Sequence, residues 1–210
     1  MPSLAIFCPQ SKAPTTEYLN QLHRFLTQEP QLQPFIQDIL KLEDTWAVLA
    51  DAREDIAALS QGPEYCQGLC KWIKTGESSQ IANALSGILS LPLLVIIQLG
   101  QYLQYLNVCG LRHSDFLFQL GKAGGIQGYC GGLLPALAIA CAKDEEEVVK
   151  YAANSMRIAM AIGAYGELGD EPIPGPTTIV LRLKREGQAE EIVAKFPGVS
   201  YLHSLLCTLS

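Results

Sequence analysis

The chain has 210 residues, 49% of them hydrophobic and 17% charged, with a formal net charge of −6. That length and composition suit a compact folded protein with a sizeable core and are too apolar for a disordered one. The acidic balance and the lack of a Lys/Arg stripe argue against a nucleic-acid surface, because phosphates must be met by clustered cations.

In chain order, "LAIFC", Leu4 to Cys8, is a short apolar run stopped by Pro9 and predicts a buried strand. "TTEYLNQLHRFL" predicts a helix with Thr15 or Thr16 as N-cap and Tyr18, Leu19, Leu22, Phe25 and Leu26 on one face, closed by Pro30 and Pro34. From Phe35 to Leu59, Phe35, Ile36, Ile39, Leu40, Leu42, Trp46 and Leu49 keep helical spacing, so the run reads as helix with one break. Gly62 and Pro63 interrupt it, weaker helices follow between Tyr65 and Ser90, and an apolar helix begins near Pro92. The stretch "ILSLPLLVIIQLGQYLQYL" is broken by Pro92, Gln98, Gly100, Gln101 and Gln104, which makes it a buried helix rather than a bilayer span.

"GGIQGYCGGLLPALAIACA", Gly124 to Ala142, sets Cys130 between an extended run and a helical one whose first turn accommodates Pro135. "KDEEEVVKYAANSMRIAMAIGAY" predicts a further helix, with Asp144 and Glu147 in capping-box spacing and three glutamates at its positive end. After Gly166 comes the linker-like "GELGDEPIPGP", then "TTIVLRL", "EGQAEEIVAKF" and "YLHSLLCTL", which read strand, helix, strand. The expected division is a large lobe over 1–170 and a smaller, incomplete lobe over 177–210.

Gly128-Tyr129-Cys130-Gly131-Gly132 has the form of a nucleophile elbow, in which a tight turn between strand and helix lifts a side chain out of the sheet. Glycines are needed where strand and helix pass too closely for Cβ atoms. A helix N-terminus favours negative charge on the nucleophile and offers N–H groups to an oxyanion. Cysteine is also among the most buried residue types, so a structural thiol is the competing reading, and on the residues alone both stay open. The seven cysteines are odd in number and scattered, and no signal-peptide pattern precedes the first run, so reduced thiols in a cytoplasmic setting are expected.

"GYCGG" followed by "LLPALAIA", the earlier "LLVIIQLGQYLQYL" and an N-terminal strand ending in "FCPQS" together resemble the starter-unit acyl-carrier-protein transacylase domain of fungal non-reducing polyketide synthases, over nearly the whole chain. The resemblance implies an α/β fold, with a helix-rich, α/β-hydrolase-like large lobe and an incomplete ferredoxin-like small lobe. It assigns Cys130 as the nucleophile, Gly128 and Gly132 as elbow glycines, and the backbones of Gln10 and Gly131 as the oxyanion hole. Tyr129 replaces the histidine of the related malonyl enzymes and would line the acyl pocket. Arg157 lies near their carboxylate-binding arginine, although starter units carry no free carboxylate and a structural role fits it better. None of His23, His113 and His203 matches the family's catalytic histidine, so the general base is not expected among these residues.

The implied activity is transfer of a starter acyl group from acyl-CoA or acyl-carrier protein, the latter fed by a fatty-acid synthase, through an acyl-cysteine to the phosphopantetheine thiol of an acyl carrier protein. No bound cofactor, metal, nucleic acid or membrane is expected. The alternative is a truncated, non-turning-over relative, or a fragment of a longer synthase, that serves as a carrier-protein or megasynthase interaction module, and a cysteine-dependent hydrolase is a weaker third reading. Cys66 and Cys70, four apart, lack further zinc ligands at motif spacing. "GKAGG" lacks the ending of a phosphate loop and reads as the loop before the elbow strand. Tyr102 and Tyr105 read as core residues, or as a wall of the acyl tunnel.

Overall fold

A computed structural model of the chain describes residues 4–8, 13–82 and 86–168, together with Glu191 and Ala194. The chain divides into two units, Met1–Pro172 and Ile173–Ser210, and every element below belongs to the first. The strand-helix-strand expected after Thr177 lies outside the described residues.

Strand β1 (Leu4–Phe7) pairs in parallel with β2 (Gly125–Gly128), Leu4 opposite Gly125 and Phe7 opposite Gly128. Parallel strands require a crossover, and here it is made of helices: α1 (Thr16–Gln28), a 3-10 turn (Pro30–Leu32), α2 (Gln33–Leu40), α3 (Leu42–Ala52), α4 (Glu54–Ala57), α5 (Gly62–Thr75), α6 (Gly87–Cys109) and α7 (His113–Gly121). After β2 come a 3-10 turn (Cys130–Gly132), α8 (Leu133–Cys141) and α9 (Glu145–Leu168). The described residues are therefore a helix-rich α/β arrangement with a small parallel sheet.

Local chemistry explains most boundaries. Thr15 caps α1, its hydroxyl accepting the Tyr18 N–H at 3.2 Å. At α9 the Glu147 N–H donates to Asp144 at 2.8 Å, and the Glu147 carboxylate accepts the Lys143 N–H at 3.0 Å, so the acidic run begins a helix as its spacing predicts. Two expectations about proline are corrected. Pro34 opens α2 and Pro63 opens α5, each within the first turn, where a missing N–H has no intrahelical acceptor to lose. The run from Phe35 is broken twice, at Lys41 and at Arg53, rather than once. Helix α6 starts at Gly87, ahead of Pro92, because Ser86 caps it by accepting the Ile88 N–H.

The core is built around α6. Ile88, Leu89, Leu93, Val95, Ile96, Ile97, Leu99, Leu103 and Leu106 are all buried. Among the described residues α6 is the one helix long and apolar enough to cross a membrane by length and composition, yet α1, α5, α8 and α9 pack against it. Helix α9 runs back along α6: Gly163 meets Gly87 at one end, and Leu103 and Val149 line a shared cavity at the other. At the Gly163 crossing the contact is backbone on backbone. A Cβ on Gly163 would sit 2.2 Å from the Gly87 carbonyl oxygen and 2.6 Å from the Ile88 nitrogen. Beside it, Glu167 accepts hydrogen bonds from the Ser86 hydroxyl and, at 3.4 Å, from the Ile88 N–H, placing a carboxylate at the positive end of α6.

This crossing predicts that Gly163→Ala destabilises the protein by about 1–3 kcal/mol, because neither backbone can give way freely. Gly121→Ala, with nothing among the described residues within 4 Å of its added methyl, should be neutral or slightly stabilising. Thermal unfolding of both variants checks this, and an unchanged melting temperature for Gly163→Ala would contradict the crossing.

Candidate functional site

Strand β2 keeps extended geometry through Tyr129 (φ −115°, ψ 133°), whose N–H donates to the Phe7 carbonyl at 2.8 Å and lengthens the ladder by one residue. The next residue is Cys130, at φ +50°, the one non-glycine residue with positive φ among those described. The chain then closes a 3-10 turn, Gly132 N–H to Tyr129 carbonyl at 2.9 Å, and enters α8. A left-handed cysteine is uncommon and costs about 1 kcal/mol or more, so the surroundings must hold it there.

They do so through close contact. A Cβ on Gly132 would lie 2.4 Å from the Phe7 oxygen and 2.7 Å from the Cys8 nitrogen, and one on Gly128 would lie 2.6 Å from the Leu133 Cα. The start of α8 thus rests directly on the ends of both strands. Beneath the turn, a Cβ on Gly131 would lie 2.8 Å from Leu94 and 3.4 Å from Leu91 of α6. On the same face of α6, Gln98 donates its side-chain N–H to the Cys8 carbonyl at 2.5 Å. Gln98 is buried, and its Oε1 has no partner among the described residues. The sequence reading took Gln98 only as a polar break in an apolar run. It is a clamp on the residue that follows β1, and nothing in its own stretch sets it apart from Gln101 and Gln104 of the same helix.

The turn leaves Cys130 exposed beside Tyr129, which is 45% exposed. The competing reading of Cys130 as a thiol packed in the core is therefore overturned. Gln10 lies outside the described residues. Arg157 is committed elsewhere, to Asp38 of α2 at 2.5 Å and to Asn154 at 3.3 Å.

Both described histidines serve the scaffold. His113 is fully buried; its Nε2–H donates to the Ala142 carbonyl at 3.0 Å, which leaves Nδ1 to accept the Tyr102 hydroxyl at 2.6 Å. The His113 backbone N–H donates to Glu145 at 2.8 Å, so one residue ties α6, α7 and the start of α9. Burial pushes the Tyr102 phenol well above its ordinary range, and its ring packs against His113 and Phe116. Tyr105 is half-exposed. His23 Nε2 meets the Ile73 carbonyl at 3.0 Å. His203 lies outside the described residues.

The other cysteines separate by environment. Cys66 and Cys70 of α5 are buried, one thiol directed at the Met160 sulfur and the other at the Ile39 and Leu40 carbonyls, each at 3.6 Å. Burial pushes the Cys66 thiol up to about 12 and the Cys70 thiol up to about 11. These are inert core thiols. Cys8, Cys109, Cys130 and Cys141 are exposed, and Cys130 alone among them stands in a strained turn at the start of a helix.

Comparison with known proteins identifies the family to which these residues belong. A family profile described as "Starter unit:ACP transacylase in aflatoxin biosynthesis" matches residues 7–196. The chain is 54% identical over 198 residues to non-reducing polyketide synthase atr1 of Stereocaulon alpinum, covering 94% of this chain and 8% of that one. It is 40% identical over 197 residues to non-reducing polyketide synthase stbA of Stachybotrys bisbyi, covering 93% and 9%. It is 32% identical over 197 residues to a methylphloroacetophenone synthase of Cladonia uncialis, covering 91% and 8%. The chain thus spans under a tenth of the length of these three relatives.

Two predictions follow from the elbow and its buried counterparts. Gly132→Ala should destabilise by about 1–3 kcal/mol and change the iodoacetamide labelling rate of Cys130 several-fold while leaving Cys109 alone; peptide mass analysis reads both, and wild-type behaviour would contradict the close approach. Below the ordinary thiol value near 9, Cys66 and Cys70 are protonated in both folded and unfolded chains and contribute no pH dependence. Above it the unfolded chain loses those protons while the folded one keeps them until about 11 to 12. Stability should therefore fall through that window by at most about 1.4 kcal/mol per thiol per pH unit. Alkaline melting curves should be steeper for the wild type than for the Cys66→Ala/Cys70→Ala double variant.

Proposed function

Because the chain belongs to the starter unit:ACP transacylase family, with relatives among fungal non-reducing polyketide synthases, we propose that it loads a starter acyl group onto Cys130 and passes it to an acyl carrier protein. The observation that carries this reading is the exposed Cys130 at φ +50°, held between β2 and α8. The donor is an acyl-CoA or an acyl-carrier-protein thioester, the latter supplied by a fatty-acid synthase. The Cys130 thiolate attacks the thioester carbonyl, and the tetrahedral oxyanion collapses with release of the donor thiolate, which takes up a proton. The phosphopantetheine thiol of the carrier then attacks the acyl-cysteine and frees Cys130.

In this reading the Gly131 N–H, at the entrance to the turn, and the Gln10 backbone stabilise the oxyanion. Tyr129 borders the acyl group, and Arg157, held by Asp38, supports α9 rather than a substrate carboxylate. The reaction needs no bound cofactor or metal and suits a reducing, cytoplasmic compartment. A hydrolase-like continuation of the sheet and a ferredoxin-like small lobe belong to the same proposal.

One observation favours the second reading, a carrier-protein interaction module without turnover: His23 and His113 are both engaged by carbonyls of the scaffold. A thiol is a nucleophile in its own right, whereas a general base contributes about 10²- to 10⁴-fold. Acylation and turnover are therefore separable.

Incubation with short-chain acyl-CoAs should give an intact-mass increase of one acyl group, abolished in Cys130→Ala. No adduct in folded protein, or an undiminished adduct in Cys130→Ala, overturns the acyl-cysteine. Multiple-turnover transfer to a carrier protein excludes the module reading, and binding of the carrier with single acylation only supports it.

A further inference from the structure

Two of the exposed thiols emerge at the same backbone crossing. Phe7 is opposite Gly128, and the Tyr129 N–H bond to the Phe7 carbonyl carries the ladder one step further, so Cys8 leaves β1 where Tyr129 and Cys130 leave β2. With strands about 4.8 Å apart and about 3.8 Å between successive Cα atoms, the Cys8 and Cys130 Cα atoms are less than about 9 Å apart. The turn then folds back toward Cys8: a Cβ on Gly132 would lie 2.7 Å from the Cys8 nitrogen. A disulfide asks for a Cα separation of about 4.4–6.8 Å, which lies within that bound.

Three further observations mark this pair out. Along β1, Ala5 and Phe7 pack toward the core while Leu4 and Ile6 are exposed, and the alternation continues to an exposed Cys8. Gln98 holds the Cys8 carbonyl from below, which keeps the thiol at the crossing. Among the described residues, the remaining exposed thiols stand far away along their helices. Cys141 closes α8, about 12 Å from Leu133, and Cys109 closes α6, about 16 Å from Gln98.

We infer that Cys8 is the resolving thiol of Cys130 and that the pair is a reversible oxidation site. A hydroperoxide accepts attack by the Cys130 thiolate, its O–O bond breaks, and Cys130 becomes a sulfenic acid as water or alcohol leaves. The Cys8 thiolate then attacks that sulfur and water departs with the hydroxyl, leaving a Cys8–Cys130 disulfide. The two thiols together give two electrons to the peroxide, and an external dithiol returns them. The disulfide withdraws Cys130 from nucleophilic chemistry and keeps it from irreversible oxidation to the sulfinic acid. None of this depends on an acyl donor, so failure of the acyl-transfer reading leaves it standing.

The experiment is hydrogen peroxide titration of the reduced protein, followed by non-reducing peptide mass analysis and iodoacetamide labelling of Cys130 before and after dithiothreitol. The expected result is a Cys8–Cys130 linked peptide and loss of labelling that dithiothreitol restores. In Cys8→Ser, Cys130 should pass to the sulfinic acid with labelling no longer restored, whereas Cys109→Ser and Cys141→Ser should match the wild type. Linkage of Cys130 to another cysteine, or an equal sulfinic fraction in wild type and Cys8→Ser, overturns the inference. The absence of the linked peptide from oxidised wild-type protein does so by itself, whatever the stability of the variants.

Discussion

The contact between the Gly132 backbone and the ends of the two strands governs the rest of the molecule. With no Cβ at Gly132, α8 starts within van der Waals reach of Phe7 and Cys8. That closeness forces the chain to reverse between Tyr129 and Leu133, and the reversal puts Cys130 at positive φ with its thiol in solvent. The strain at one residue is sustained by packing at its neighbours, since close-packed interiors transmit small displacements.

The scaffold beneath the turn is held by similarly close contacts. Leu91, Leu94 and Gln98 present one face of α6 to the elbow, while other faces of α6 are held by α9, through the glycine crossing and the Glu167 cap. His113 adds a polar tie through Tyr102, Ala142 and Glu145. Glu145 illustrates the balance of forces there: burial works against its charge, but the His113 and Glu145 backbone N–H groups and the nearby Arg112 hold its carboxyl below the usual range. In such a setting one residue type takes different roles. Cysteines in α5 are core atoms with suppressed ionisation, and Cys130 is a displayed thiol.

Much of this was legible in the sequence where the cause was local. The strand before Pro9, the cap of α1, the capping box before Glu147 and the glycines around Cys130 each follow from a few adjacent residues, although the strand is not buried as its apolar run predicts, because Leu4 and Ile6 lie on an exposed face. The prolines were misjudged because a residue without an N–H suits the end of one helix and the start of the next equally well, and only the position of the following apolar face decides. Helix α7 was not foreseen, since its short run ends in "GKAGG" and carries little periodic signal. Gln98 and the His113 network could not be read because their partners lie far along the chain: Cys8 from Gln98, Ala142 from His113.

The sequence by itself determined that residue 130 sits in a glycine-flanked turn between strand and helix, and it carried the family resemblance, because both are properties of contiguous residues. The tertiary structure decided which thiols are displayed and which are core, which histidines are engaged, and that Arg157 meets Asp38. Those outcomes depend on desolvation and on hydrogen-bond partners drawn from distant segments, quantities that exist only once the chain has packed.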